Sequence, residues 1–371
     1  MTRNKRKQAL TAMSKMSLDF YAGSRALQLI RSGGLKAEDV EVMAGAAGGP
    51  KWLILGHLDR MIFSSWFKDR KKPLFLVGSS SGAWRFAMTT QTDPVAAVSR
   101  FEQAYIQQYY SKNPTPTEVR REANRILNTI IPHEAPDQIL THPFLRLNVM
   151  SVRCRGSLAW EAKPVQMASM LGAVVLNTIH RRGLGFLFDR VLFHDPRNIP
   201  PFWEMNGFRL HRVPLVRTNL RQALMASGSI PLIMPGVTAI PGAPAGTYRD
   251  GGVIDYHMDL RCSLNGGIVL FPHYTDRIIP GWLDKHLPWR KPSPAHMTDM
   301  LMVCPSKSFL SALPYGKIPD RNDFKRLQGK DEARVAYWQQ AANSGKQLAD
   351  AFMEAVLSDR IKELVRPLPW T

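Results

Sequence analysis

Ser80 sits in Gly78-Ser79-Ser80-Ser81-Gly82, directly after the apolar run Leu74-Phe75-Leu76-Val77. A buried strand followed at once by Gly-x-Ser-x-Gly is the pattern of a nucleophile elbow. The serine occupies a sharp strand-to-helix turn, and small neighbours at Gly78 and Gly82 permit the tight backbone. A hydroxyl presented in this way attacks a carbonyl carbon once a base has taken its proton. Alone, the pattern also fits a Gly/Ser-rich turn with no chemistry.

A candidate base is Asp250, in Tyr248-Arg249-Asp250-Gly251-Gly252-Val253-Ile254. At the end of a strand, ahead of Gly251 and Gly252, its carboxylate is unobstructed. A carboxylate within reach of a serine hydroxyl can act as general base with no histidine between them. Asp-Gly-Gly alone is a common turn. A third segment runs from Val40-Glu41-Val42-Met43-Ala44-Gly45, a short strand, into Ala46-Ala47-Gly48-Gly49-Pro50-Lys51-Trp52. Consecutive backbone N–H groups in such a small-residue loop, beside a helix start, bind developing negative charge. The competing reading is an ordinary tight βα turn. No Gly-Lys-Ser/Thr is present, which excludes a P-loop.

In this order the segments resemble the patatin-like phospholipase family. Ala226-Ser227-Gly228-Ser229-Ile230-Pro231 resembles that family's Ala-Ser-x-x-x-Pro stretch ahead of the catalytic aspartate. The resemblance spans about residues 38–275. It implies a three-layer α/β/α hydrolase with a mostly parallel central sheet. It also implies a nucleophile at Ser80, a base at Asp250 and oxyanion donors at the backbone of Gly48 and Gly49, joined by Ser81. Lys51 takes the loop's basic position, and Gly78, Gly82, Gly251 and Gly252 support the turns. The reaction implied is hydrolysis of a lipid acyl ester (phospholipid, lysophospholipid or acylglycerol) by a Ser–Asp dyad, with no cofactor and no metal.

Two departures mark a divergent, bacterial-type member. Trp52 stands where the family's loop has a glycine, and Asp255-Tyr256-His257-Met258 replaces the usual Asn-x-Pro. His257 either approaches the site or caps the strand end. Two other readings compete. One is a Ser–His–Asp hydrolase drawing on His273, His286 or His296. The other is a non-catalytic scaffold binding membrane or nucleic acid.

Composition bounds these choices. The chain has 371 residues, 44% of them apolar, enough for a sizeable core. Net charge is +19. Such a field attracts polyanions. With no nucleic-acid motif of the common types, an anionic membrane surface is the expected partner, and no specific nucleic acid. No uncharged apolar stretch reaches the roughly 18 residues of a membrane span. The three cysteines, Cys154, Cys262 and Cys304, are sparse and widely spaced. They read as reduced, buried small hydrophobes in a cytoplasmic protein peripheral to the inner membrane face. Oligomeric state is not encoded.

The positioning elements follow from periodicity. Residues 1–16 read as a basic tail, 17–313 as the catalytic domain and 314–371 as a helical extension. Helices are expected at 19–30, after Trp52 through Leu53, Ile54, Leu58 and Ile62, at 93–110 with Asp93 as N-cap, at 117–131 and, once or twice, within 331–365. Strands are expected at 40–44, 73–77, 145–152, 190–193, 266–271 and 300–303. The nearly uncharged run 165–179, followed by His180-Arg181-Arg182, reads as a buried core helix, with an acyl channel or lid as the alternative. Residues 278–291, with Trp282 and Trp289 among basic residues, read as proline-broken loop, and 314–330 as a polar connection.

Overall fold

The computed structural model describes residues 16–370. The basic tail expected over residues 1–16 lies, except for Met16, outside the described residues. Among the described residues ten strands form one sheet: β1 (Leu18–Ala22), β2 (Val40–Gly45), β3 (Leu74–Ser79), β4 (Leu145–Cys154), β5 (Phe188–His194), β6 (Leu210–Pro214), β7 (Thr247–Asp250), β8 (Ile268–Pro272), β9 (Met300–Pro305) and β10 (Arg366–Pro367). Their order is β10-β1-β9-β8-β2-β3-β4-β5-β6, with β7 also pairing β4. Every pairing from β9 across to β4 is parallel. β1 runs antiparallel to β9, and β4 antiparallel to β5 and β7. Helices flank this mostly parallel sheet in a three-layer α/β/α arrangement.

The central strands are covered on both faces, so β8 and β9 are buried at every residue. Their sequences are accordingly continuous apolar runs rather than alternations. β1 differs. Leu18, Phe20 and Ala22 are buried while Asp19 and Tyr21 are half-buried, a period-two pattern. The helix expected over 19–30 therefore begins only at Ser24, and Phe20 belongs to a strand stabilised by β9 and β10. Asp93 caps the Pro94–Ile106 helix by accepting from the Ala96 N–H at 2.9 Å.

Residues beyond 313 join the same core. Trp338 and Phe352 are fully buried in the main apolar cluster, and β10 adds to the sheet beside β1. Three helices, Asp331–Ser344, Lys346–Leu357 and Ile361–Leu364, occupy the region where one or two were expected.

The run 165–179 departs from expectation. The Lys163–Ile179 helix buries only Gln166, Met170, Ala173 and Asn177, a single narrow stripe. That stripe rests on a satellite cluster with Val152, Phe188 and Ile254, not on the main core, which leaves most of its apolar surface uncovered. Cys154 and Cys304 are buried, whereas Cys262 is only half-buried. Among the described residues no helix is long and apolar enough to cross a membrane.

Candidate active site

Strand register brings Ser80 and Asp250 together. β3 pairs along one edge of β4 as far as Ser79 opposite Met150. The next residue of β4, Ser151, is opposite Asp250 of β7. β7 runs antiparallel to β4, so β3 and β7 meet head-on along one edge. The chain must leave the sheet at both ends at once. Ser80 and Asp250 are the residues at that junction, and the Ser80 hydroxyl is close enough to favour the charged form of the Asp250 carboxyl.

Ser80 has φ 54° and ψ −126°, a region that serine populates only under constraint. The constraint is visible. The Ser80 N–H donates to Ser227 Oγ at 2.9 Å, and the Ser227 hydroxyl donates to the Met150 carbonyl at 2.6 Å. Ser227 is fully buried, so the turn is pinned to β4 by a hydroxyl with no other occupation. Gly82 makes the turn possible from the other side, because a Cβ there would lie 2.1 Å from the Gly45 carbonyl oxygen. The Ser81–Thr89 helix thereby packs directly on the end of β2. Its Arg85 forms a bidentate, fully buried ion pair with Asp59, both bonds 2.7 Å. Asp59 lies in the Gly56–Met61 helix, downstream of the small-residue loop, so the pair ties the two halves of the site together.

The loop after β2 is held by aromatic residues. The Tyr274 hydroxyl donates to the Ala47 carbonyl. His257 Nε2 lies 2.8 Å from the Tyr274 oxygen, and His257 Nδ1 accepts from the Ile279 N–H at 3.0 Å. Nδ1 also lies 3.2 Å from the Arg277 carbonyl oxygen, so the ring is held from both nitrogens. Burial, reinforced by His273 and Lys51, holds its pKa well below the ordinary value, in keeping with a neutral ring. In a planar trans peptide the Ala47 C=O and Gly48 N–H point in opposite directions. Anchoring the carbonyl therefore turns the Gly48 N–H the other way. Gly48 must lack a side chain, since a Cβ would meet the Tyr274 ring at 2.7 Å. Gly49 and Ser81 open their helices, where a backbone N–H has no intrahelical acceptor. Trp52, the departure in this loop, points into the core and stacks on Phe101 at 4.2 Å between ring centroids.

Asp250 is buried, and burial raises its pKa above the ordinary carboxylate value. The Ser80 hydroxyl, Arg321, the Gly252 N–H and Lys285 oppose that rise. The Gly252 N–H donates to Asp250 Oδ1 at 2.7 Å, so the Gly251-Gly252 turn orients the carboxylate. The altered segment beyond it is anchored by Asp255, which takes a buried bidentate pair from Arg190 of β5 at 2.7 and 2.8 Å. A carboxyl with a raised pKa, beside a strained serine and two helix-opening N–H groups, can take a proton and stabilise an oxyanion.

Three cations gather at this point. Lys51 Nζ lies 5.0 Å from the Tyr274 ring centroid and Lys285 Nζ 4.3 Å from that of Tyr256. Arg321 lies against Gly49, where an added Cβ would meet its Nε at 2.9 Å. Among the described residues none of the three forms an ion pair. Burial, with Lys51 and Arg321 close by, lowers the pKa of Lys285 to about 7 against the pull of Asp250. Lys51 is lowered also, chiefly by burial. Arg321 belongs to the polar connection and Lys285 to the proline-broken loop. Nothing in either segment's periodicity points to the site. Tyr274 is equally silent in sequence.

A cavity of about 830 Å³ opens onto Ser80 and Ser81, with Trp84, Tyr105, Ile230 and Met234 on its apolar side and Arg321 at its rim. The Ala226–Ser227 stretch contributes twice, through Ser227 beneath the serine and through the following Ile230–Met234 wall. His273 is fully buried and bonds within its own turn to Thr275, and His296 pairs with Asp259. Among the described residues neither they nor His286 make a hydrogen bond to Ser80.

No family model matches this chain, and no curated relative is found for it. Among solved structures it is similar to human GIVD cytosolic phospholipase A2 at 10% identity and a TM-score of 0.42, over 97% of this chain and 64% of that one. It is also similar to a chain of the heterodimeric ExoU–SpcU complex from the type III secretion system of Pseudomonas aeruginosa. There the identity is 10% and the TM-score 0.29, over 92% of this chain and 54% of that one. The chain thus spans less than two thirds of the length of either.

Proposed function

We propose that this protein is a serine acyl hydrolase that cleaves lipid acyl esters with a Ser80–Asp250 dyad. The observation that carries the reading is the head-on junction of β3 and β7, which sets a strained Ser80 beside a buried carboxyl. Asp250 takes the proton of Ser80 as Oγ bonds to the ester carbonyl carbon. The N–H groups of Gly48, Gly49 and Ser81 hold the oxyanion, each contributing about 3 kcal/mol. Collapse breaks the ester C–O bond, and the alcohol leaves with the proton from Asp250. Water then attacks the acyl-enzyme, with Asp250 again the base, and releases the fatty acid.

The substrate class follows from the cavity lining and from the cations beside it, of which Arg321 lines the cavity. The apolar side of the cavity suits an acyl chain. Lys51, Lys285 and Arg321 suit a phosphate on the same molecule, which favours a phospholipid or lysophospholipid over an acylglycerol. Ser–His–Asp chemistry is disfavoured, because the three candidate histidines have other partners or none at the serine.

Fluorophosphonate labelling with peptide mapping tests the reading, alongside hydrolysis of short p-nitrophenyl esters. Wild type is expected to be labelled at Ser80, and Ser80→Ala and Asp250→Asn to lose turnover. Folded wild-type protein that neither labels nor turns over ester would refute it.

A further inference from the structure

The Lys163–Ile179 helix shows an apolar face with nothing on it. Its buried stripe, Gln166, Met170, Ala173 and Asn177, lies along one side. Met167, Leu171, Val174, Val175 and Ile179 occupy the opposite arc and are exposed, Leu171 by 66% and Ile179 by 77%. Phe186, 76% exposed, follows on the next turn. An aqueous helix that is apolar on nearly every side is a helix with a missing partner.

The surroundings of this face identify the partner by charge. Residues 162–188 contain no Asp or Glu but carry Lys163, His180, Arg181 and Arg182. Among the described residues Lys163, Arg182 and nearby Lys291 form no ion pair. Exposed tryptophans flank both ends. Trp160 adjoins the first turns, where its carbonyl accepts from Gln166. Trp289 adjoins the last, since Arg290 beside it donates to the Asn177 carbonyl at 2.6 Å. Apolar side chains inside a basic rim, with tryptophan at the margins, match an anionic lipid surface. A second copy of this chain would instead oppose one basic rim to another, in a protein of net charge +19.

We infer that the exposed face of the Lys163–Ile179 helix, with Phe186 and the flanking tryptophans, docks the protein onto an anionic membrane. The same helix joins the docked surface to the site. Gln166 Oε1 accepts from the Leu232 N–H at 2.6 Å, in the segment whose Ile230, Ile233 and Met234 line the cavity. Asn177 Nδ2 donates to Asp284 Oδ1 at 2.7 Å, in the turn that carries Lys285. Docking itself is independent of the hydrolase reading; only this link to the site rests on it.

The test is co-sedimentation of the full chain with vesicles of phosphatidylcholine alone or with 30% phosphatidylglycerol. Wild type and Ser80→Ala are expected to bind the anionic vesicles equally, and more weakly as salt rises. Leu171→Glu/Val175→Glu alters exposed positions only. It is expected to keep the wild-type circular dichroism spectrum and to lose roughly tenfold or more of the binding. Equal binding by this variant and wild type would overturn the inference. So would a wild-type dimer that the variant converts to monomer in sedimentation velocity, or tight binding only to an acidic protein. Vesicle binding without ester turnover would leave the docking face standing and remove the hydrolase reading.

Discussion

Tyr274 and Ala47 are joined by a hydrogen bond across 227 residues of sequence, from the phenol to the backbone carbonyl. Through that bond a tyrosine at the end of β8 sets the direction of the Gly48 N–H after β2. Removing the hydroxyl in Tyr274→Phe frees the Ala47 carbonyl and leaves the buried His257 Nε2 without its partner. The expected result is a fall in kcat smaller than the roughly 10²–10³-fold cost of losing an oxyanion donor outright, with KM little changed. Stability falls by about 1–3 kcal/mol for the unsatisfied histidine. Steady-state kinetics of ester hydrolysis, paired with urea unfolding, check both. An unchanged kcat would mean that the loop holds its orientation without the tyrosine.

The strain at Ser80 makes a prediction of opposite sign. A serine at φ 54° and ψ −126° carries about 1–3 kcal/mol of backbone strain, and glycine at that position carries little. Against this stands about 1 kcal/mol of additional chain entropy for glycine. Ser80→Gly is therefore expected to abolish ester turnover while raising unfolding stability by about 1 kcal/mol. Ser80→Ala keeps the Cβ and the strain, so it is expected to abolish turnover with no comparable gain. Denaturant midpoints of the three proteins decide the matter.

Asp59 and Arg85 join the helices that follow the two loops of the site, and neither is exposed. Breaking such a pair strands one charge in the core at a cost of about 3–5 kcal/mol. Arg85→Met is expected to lose that much. Arg85→Met combined with Asp59→Leu is expected to recover most of it, because the desolvated charge is then gone. Urea unfolding of both variants tests the claim. Similar losses in the single and double variants would show that packing, not charge, is what the pair supplies.

How much of this was legible in the sequence depended on whether a residue's role was local. The tight strand-to-helix turn at Ser80 is readable because Gly-x-Ser-x-Gly and the preceding apolar run are contiguous, and Asp93 because an N-cap acts within three residues. The sequence pattern predicts helix through β1 because Leu27 and Ile30 continue an apolar series past Ala22, and only its pairing with β9 and β10 decides the matter. For the Lys163–Ile179 helix the sequence predicts a core position, because composition reports that a helix is apolar, not that anything covers it. Tyr274, Lys285 and Arg321 had no local signature at all. Their roles exist only after the sheet brings β2, β8 and the connection beyond residue 313 to one end.

The electrostatics of that end predict two opposed pH limbs. Burial raises the pKa of Asp250, and under the proposed dyad that carboxyl must be ionised to accept the serine proton. As pH falls through that raised value, kcat is expected to drop, beginning above the ordinary aspartate range of about 3.9. Lys285 acts in the other direction. Its pKa is lowered to about 7, so it is charged below neutrality and loses its proton above it. If it contacts the substrate phosphate, KM for a lysophospholipid is expected to rise several-fold between about pH 6 and 8, while KM for an uncharged p-nitrophenyl ester stays level. Lys285→Gln removes the titrating group and is expected to flatten the KM profile at its high-pH level, leaving the acid limb of kcat in place. A lysophospholipid KM that moved with pH equally in wild type and Lys285→Gln would assign the titration to another group and exclude Lys285 from the phosphate contact.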